Sequence, residues 1–353
     1  MKQFTGISRS GDVKEAVLGL ERPQLLILCG SDKETFRNQV EEIEALFPGV
    51  PSIGCVGQSY AKTDVVENGF TVTAFYDGIS ARANVLEEAG TMPVKYIKRL
   101  EKDMNAVNGT AENMVCIDFC AGNDECVLAT INSVLERKKI PLTGGTAWEG
   151  TVCCNGKVYE NACAYALVKN EHGKIKVYKE NLYTPTDTKY LVTKAVPEKY
   201  IIKELNGQPF ADVYTRDLGI QEEDIETQTF VNPLGRIIGD EVFIVSLKEL
   251  QSDKSVMCYR KVNPKDKLYI MQIGDLKSIY KSTIEHIRND FKKISGVYSI
   301  NCAFRYILFQ QHNCVEQYFT EMNQLGTHSG LIGLGEHYMK QHTNQTMSCV
   351  VFE

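Results

Sequence analysis

Three short segments near the end of the chain carry the side chains best suited to chemistry: Cys302-Ala-Phe-Arg305, Gly335-Glu336 and Asn344-Gln-Thr346. A guanidinium grips a carboxylate through two parallel hydrogen bonds, and a glutamate accepts an ammonium. An arginine and a glutamate side by side can therefore hold both ends of a zwitterion, with Asn344 and Thr346 fixing its orientation. The same two groups can also simply pair with each other. Glu336 follows the apolar run 330–335, and an unpaired buried carboxylate is unfavourable by several kcal/mol, so it needs one partner or the other.

Other chemistries have less behind them. Cys302, His337 and Glu336 could serve as nucleophile, base and orienter. The pattern places Cys302 at a strand end, without a helix N-terminus to lower its thiol pKa, so no catalytic residue is assigned and no enzyme is expected. His328, His337 and His342 could ligate a metal or haem, but histidines in loops are the commoner origin of such a trio, and no metal is assigned. No two cysteines sit three apart, so zinc-ribbon spacing is absent. The chain lacks the G-x-x-x-x-G-K-[ST] phosphate loop, and the glycines at 330, 333 and 335 precede no helix pattern that would make a dinucleotide site.

Composition sets the class. The chain has 353 residues, 43% hydrophobic and 24% charged, as in ordinary globular proteins of two domains. A net charge of −6 gives no electrostatic reason to bind nucleic acid or an anionic membrane. No apolar run reaches membrane-spanning length and no secretory leader is evident. The 12 cysteines are scattered through apolar, strand-like runs, which predicts reduced core thiols and a cytoplasmic protein.

The elements that must position these residues follow one recurring plan: an apolar strand, a capped turn, a helix, a glycine-containing strand and turn, a polar loop and a closing strand. It begins at Leu25-Leu-Ile-Leu-Cys29, whose helix carries Phe36, Val40 and Ile43 on one stripe, and passes through Gly57. The plan recurs from Met114-Val-Cys-Ile-Asp-Phe-Cys120 to Gly145, and again from Val297 to Gly335. Cys116 and Cys120 share one strand face and fill core. The three glycines are expected at equivalent places, with any site where their turns converge. Helices are expected over 11–20, 92–104, 275–294 and 310–325, and strands over 241–247, 255–262 and 297–304. Residues 221–239 read as irregular. The polar, proline-containing bend at 184–187 is the expected boundary between domains 1–185 and 186–353. The fold class is α/β, with mixed sheets flanked by helices and built from strand–helix–strand–strand units.

These motifs resemble the FIST family (F-box and intracellular signal transduction proteins) over roughly residues 20 to 353. C-x-x-R, G-E and N-x-T stand in the order of the FIST C-terminal domain, and Glu204-Leu-Asn-Gly-Gln-Pro209 resembles its start. Gly54-Cys-Val-Gly57-Gln-Ser59 and Pro141-Leu-Thr-Gly-Gly145 resemble the N-terminal domain. The resemblance implies an intracellular sensory module that binds a small polar ligand, an amino acid or related metabolite, and signals through a protein partner. One branch of the family binds haem and senses nitric oxide. The implied ligand-binding set is Cys302, Arg305, Gly335, Glu336, Asn344 and Thr346, with Gly57, Gln58, Gly145 and Thr146 from the earlier turns. One departure is that 241–247 reads Glu-Val-Phe-Ile-Val-Ser-Leu, where the family often carries an arginine.

Overall fold

The computed structural model describes residues 1–88 and 91–353. It divides into two compact units, one made of residues 1–180 with 280–353 and the other of residues 181–279. Compactness thus cuts the chain elsewhere than at 185, and the larger unit is discontinuous in sequence.

The chain opens with β1 (Lys2–Ser8) and a single-turn helix α1 (Val13–Ala16). This α1 is all that forms of the helix expected over 11–20, and Gly19 turns the chain in the left-handed region at φ 81°. The first repeat runs β2 (Leu25–Gly30), α2 (Lys33–Leu46), β3 (Ser52–Val56), the hairpin β4 (Gln58–Ala61) with β5 (Asp64–Val66), and β6 (Phe70–Tyr76). Every residue of β2 is buried, as a continuous apolar run requires when both sheet faces are covered. The Asp32 carboxylate accepts the Thr35 N–H and caps α2, which buries Phe36, Val40 and Ile43. After β7 (Ile79–Glu87) and α3 (Ile97–Val107), the second repeat follows the same plan. Its elements are β8 (Met114–Cys120), α4 (Asp124–Leu135), β9 (Leu142–Thr146), β10 (Thr151–Cys154) with β11 (Lys157–Glu160), and β12 (Ala162–Asn170). β13 (Ile175–Asn181) ends this part of the larger unit.

The smaller unit contains β14 (Tyr183–Val196), β15 (Ile201–Leu205), β16 (Gln208–Pro209), α5 (Phe210–Leu218), β17 (Leu234–Ile238), β18 (Glu241–Val245), β19 (Leu247–Leu250), β20 (Val256–Cys258) and β21 (Lys267–Ile273). They form one sheet in the order β18-β17-β21-β14-β15-β20-β19, with β16 on β15. The bend expected at 184–187 is a register shift between Pro185 and Lys189, and β14 runs on through it. Part of the stretch read as irregular forms β17, and the strands expected over 241–247 and 255–262 are shorter. The core of this unit joins Tyr190, Val192, Phe210, Tyr214, Val256 and Leu268.

α6 (Leu276–Asp290) precedes the third repeat, which comprises β22 (Gly296–Cys302), α7 (Ala303–Gln311), α8 (Val315–Asn323), β23 (Thr327–Gly333), β24 (Glu336–Tyr338) with β25 (Gln341–Thr343), and β26 (Thr346–Phe352). The strand expected to reach residue 304 stops at Cys302, where α7 begins. The helix expected over 310–325 is divided between α7 and α8.

In each repeat the first two strands pair in parallel, and the closing strand runs antiparallel to the first. Each hairpin then crosses to another repeat: β10 pairs with β3, β24 with β9 and β4 with β23. The larger unit therefore has three six-stranded sheets among its described residues, ordered β1-β6-β2-β3-β10-β11, β7-β12-β8-β9-β24-β25 and β13-β26-β22-β23-β4-β5. The exchange closes in a ring, so no repeat completes its sheet alone. Inward faces of all three meet in one core, through Ile27 and Cys29, Ile117 and Phe119, and Tyr298, Ile300 and Leu331. Outward faces are covered by helices, and Cys116 and Cys120 lie in such a layer with Val127 and Ile131 of α4. All twelve cysteines are free. No helix among the described residues is long and apolar enough to cross a membrane.

Candidate functional site

The glycines that the repeat places at equivalent positions are Gly54, Gly144 and Gly330. Gly57, Gly145 and Gly335 sit at three different offsets from them, which corrects the sequence-based expectation. Each equivalent glycine lies between one residue of the repeat's own first strand and one residue of the incoming hairpin. The triples are Leu28, Gly54 and Cys153; Asp118, Gly144 and His337; and Ser299, Gly330 and Tyr60. A Cβ on Gly54 would lie 2.2 Å from the Leu28 carbonyl oxygen, and one on Gly144 1.9 Å from Asp118 Oδ1. On Gly330 it would lie 1.9 Å from the Ser299 carbonyl oxygen. One position is thus apolar, with Leu28 and Cys153 in the layer beneath α2. The other two have become polar.

The second-repeat position is built around His337. The exchanged hairpin places it against Asp118 in the middle of β8 and Asp124 in the first turn of α4. Its Nδ1 lies 2.8 Å from Asp118 Oδ2 and its Nε2 2.9 Å from Asp124 Oδ1. Burial alone would lower the pKa of this imidazole, but the charges and hydrogen bonds of the two aspartates raise it well above the ordinary histidine value. Burial likewise opposes ionisation of Asp124. The hydrogen bond from His337, helped by His342 and Thr146, wins and holds it below the usual carboxylate range. Thr146 Oγ1 donates to Asp124 Oδ1 at 2.5 Å and stands 3.3 Å from His342 Nε2. His342, with 17% of its side chain exposed, forms the solvent edge of the cluster.

Several of the expected site residues converge here. Thr146 N–H donates to the Gly335 carbonyl at 2.9 Å, and Leu334 N–H to the Thr146 carbonyl at 3.1 Å. A Cβ on Gly145 would meet the Gly335 carbonyl oxygen at 2.7 Å, and one on Gly335 would meet His342 Nε2 at 2.4 Å. Neither glycine has a positive φ: Gly145 allows the close approach of the Gly335 backbone, and Gly335 leaves room for the His342 ring. Glu336 pairs in register with Gly145 and Thr343, and its carboxylate accepts the Thr346 N–H at 3.1 Å and hydroxyl at 2.7 Å. Burial, reinforced by the charge of Glu336, pushes the Cys302 thiol well up. Cys302 is the N-cap residue of α7, contrary to the sequence reading, yet its thiol stays protonated. The His337 ring nitrogens are taken by aspartates, so the nucleophile–base–orienter arrangement does not form. Asn344 is buried. Gly57 and Gln58 lie along β23: a Cβ on Gly57 would touch Leu331 at 2.6 Å, and Gln58 pairs with Ile332.

Arg305 lies elsewhere. It sits in α7, not on a strand, and its partner is Glu180 of β13, not Glu336. Nε donates to Asn301 Oδ1 at 2.9 Å, and the guanidinium stacks on Phe309 and Tyr318, 4.4 and 5.2 Å from the ring centroids. Asn301 Nδ2 reaches Tyr60 Oη at 2.8 Å, and Tyr60 donates to the Ser299 carbonyl at 2.7 Å. His328 bonds Ser299 Oγ through Nε2 at 2.7 Å, so it belongs to this third-repeat network and not with His337 and His342. Asn301 and Ser299 alternate along β22 with Tyr298 and Ile300, which face the common core. Cys302, in step with Ile300, therefore points away from the Arg305 network.

Burial alone pushes the His328 imidazole down to about 3. Above the unfolded value near ~6.5 the ring is neutral in both states and contributes no pH dependence. Below it, the unfolded chain binds a proton that the folded one refuses, so stability falls as pH drops from ~6.5 towards 3, by about 1.4 kcal/mol per unit. Urea titrations should show His328→Gln losing less stability than wild type between pH 6 and pH 4. Equal losses would show that His328 is not the group refusing the proton.

Sequence reasoning missed Asp118, Asp124 and Glu180. A single aspartate inside the apolar strand 114–120 was the available signal, since lone buried charges need partners.

Family comparison covers nearly the whole chain. The FIST N domain model matches residues 24–208, and the FIST C domain model matches residues 211–339. No curated protein matches the chain. Among solved structures, a chorismatase crystal structure at 1.08 Å resolution is similar with a TM-score of 0.39 and 8% identity, over 99% of this chain and 97% of that one.

Proposed function

The chain belongs to the FIST family, whose domains serve sensory roles in signal transduction, and on that premise we propose that it receives a small polar ligand at the Asp124–Thr146–His342 edge of the His337 cluster. The observation that carries this reading is the chain of hydrogen bonds from buried Asp118 through His337 to Asp124. It fixes the carboxylate in one orientation at the end that nears solvent. Asp124, the Thr146 hydroxyl and the His342 imidazole are the recognition groups, and an amino acid or related metabolite suits them through its amine and its carboxylate. Arg305, committed to Glu180, takes no part. Binding is the function, not turnover, and the output passes to a signalling protein partner.

A thermal-shift and calorimetric screen of amino acids and related metabolites on the full chain tests this. At least one should raise the melting temperature. Asp124→Asn should then weaken it roughly ten- to hundredfold, the loss of one hydrogen bond to a charged group at about 1.5–3 kcal/mol. Arg305→Lys should leave the affinity unchanged. A ligand that binds Asp124→Asn as tightly as wild type would place the site elsewhere, and a strong Soret band in the purified protein would replace this reading with a haem sensor.

A further inference from the structure

The geometry points to a divalent transition-metal site of the zinc type formed by Asp124, His337 and His342, an inference that rests on the ligand site above and names what anchors the ligand there. One donor atom from each residue lies within 4.8 Å of the other two. Asp124 Oδ1 is 2.9 Å from His337 Nε2 and 3.9 Å from His342 Nε2. Ligands on a tetrahedral zinc with ~2.0–2.1 Å bonds stand about 3.3 Å from one another, so small shifts of the half-buried His342 close the set. Asp118 supplies what a metal-bound histidine needs behind it. By accepting from Nδ1 it fixes the tautomer and aims Nε2 at Asp124 and His342.

The backbone is shaped to the same end. Gly144 makes room for the Asp118 carboxylate, and Gly335 leaves the space beside which His342 Nε2 sits. Thr146 orients Asp124. The three donors come from α4, β24 and β25, two repeats joined by the exchanged hairpin. Two aspartates beside neutral imidazoles balance a doubly charged ion. Because an ion on Nε2 replaces the proton shared with Asp124, uptake releases a proton. Three protein donors leave the solvent side open, where an amino acid can add its amine nitrogen and, by raising the ion to five donors, its carboxylate oxygen as a chelate.

The test uses the full chain stripped with EDTA and titrated with zinc chloride by calorimetry, then with cobalt(II) followed by its visible d–d absorption. One ion per chain is expected, with the absorption of a low-coordinate cobalt site. His342→Ala, on a partly exposed hairpin and so a safe substitution for folding, should weaken zinc by at least roughly tenfold, and Asp118→Asn by roughly 10–100-fold. No stoichiometric uptake by wild type, or equal uptake by an Asp124→Asn/His342→Ala double variant with unchanged circular dichroism, would overturn the site. Repeating the amino-acid thermal shifts separates this from the ligand reading. A shift that requires zinc supports the ion as anchor, whereas an equal shift in EDTA removes that role and keeps the ligand site. If no amino acid shifts either form, the ligand reading falls, and the zinc and cobalt titrations decide the metal site alone.

Discussion

Replacing Arg305 with methionine should lower the stability of the chain by about 3–5 kcal/mol, because the change strands the Glu180 carboxylate in the interior. The Arg305 and Glu180 side chains are 0% and 1% exposed, so water cannot take over the lost interaction. Glu180→Leu should be similarly damaging, since it strands the guanidinium. The double variant Arg305→Met/Glu180→Leu should recover most of either loss, because it removes both buried charges and leaves apolar volume beside Phe309 and Tyr318. Arg305→Lys should fall between, keeping the charge and losing the fork and the stacking. Urea denaturation of the four variants measures the coupling. Single losses below about 1 kcal/mol that simply add in the double variant would mean that the pair is not the buried scaffold described above.

Gly144→Ala is the second large effect. The new methyl would lie 1.9 Å from Asp118 Oδ1 and 2.2 Å from the Asp118 carbonyl oxygen. The carboxylate can rotate away only by abandoning His337, and the carbonyl is held in the paired strands β8 and β9. The penalty should reach the upper end of overpacking, about 3 kcal/mol or more. Gly330→Ala should behave alike, as its methyl meets the Ser299 carbonyl at 1.9 Å and Tyr60 Oη at 2.4 Å. Gly335→Ala is the contrast: its nearest neighbour is the His342 ring, a side chain that can swing outward. It should affect stability little while weakening whatever His342 holds. Melting curves decide, and a Gly144→Ala protein within about 1 kcal/mol of wild type would show that the glycine is not required for the strand approach.

The sequence by itself determined the local elements and their repetition. Apolar runs such as 25–29 and 114–120 can satisfy water exclusion only as buried strands, and the stripe of Phe36, Val40 and Ile43 fits only a helix against a sheet. Both rules act over a few residues, so they are legible along the chain. They also made the order of the motifs visible, and with it the family. The choice of partners was decided only by the tertiary structure. Hairpins cross between repeats, so His337 meets Asp118 from 219 positions away, and β13 lies beside β26, so Arg305 finds Glu180 from 125 away. Strand alternation then puts Cys302 on the same side as Ile300 and Asn301 on the helix side with Arg305, so residues adjacent in sequence serve different networks. A charge takes the opposite charge that the fold brings within hydrogen-bond reach, and that distance is set by sheet register. The expected Arg305–Glu336 pair therefore gave way to Arg305–Glu180, and a histidine read as incidental became the centre of the candidate site.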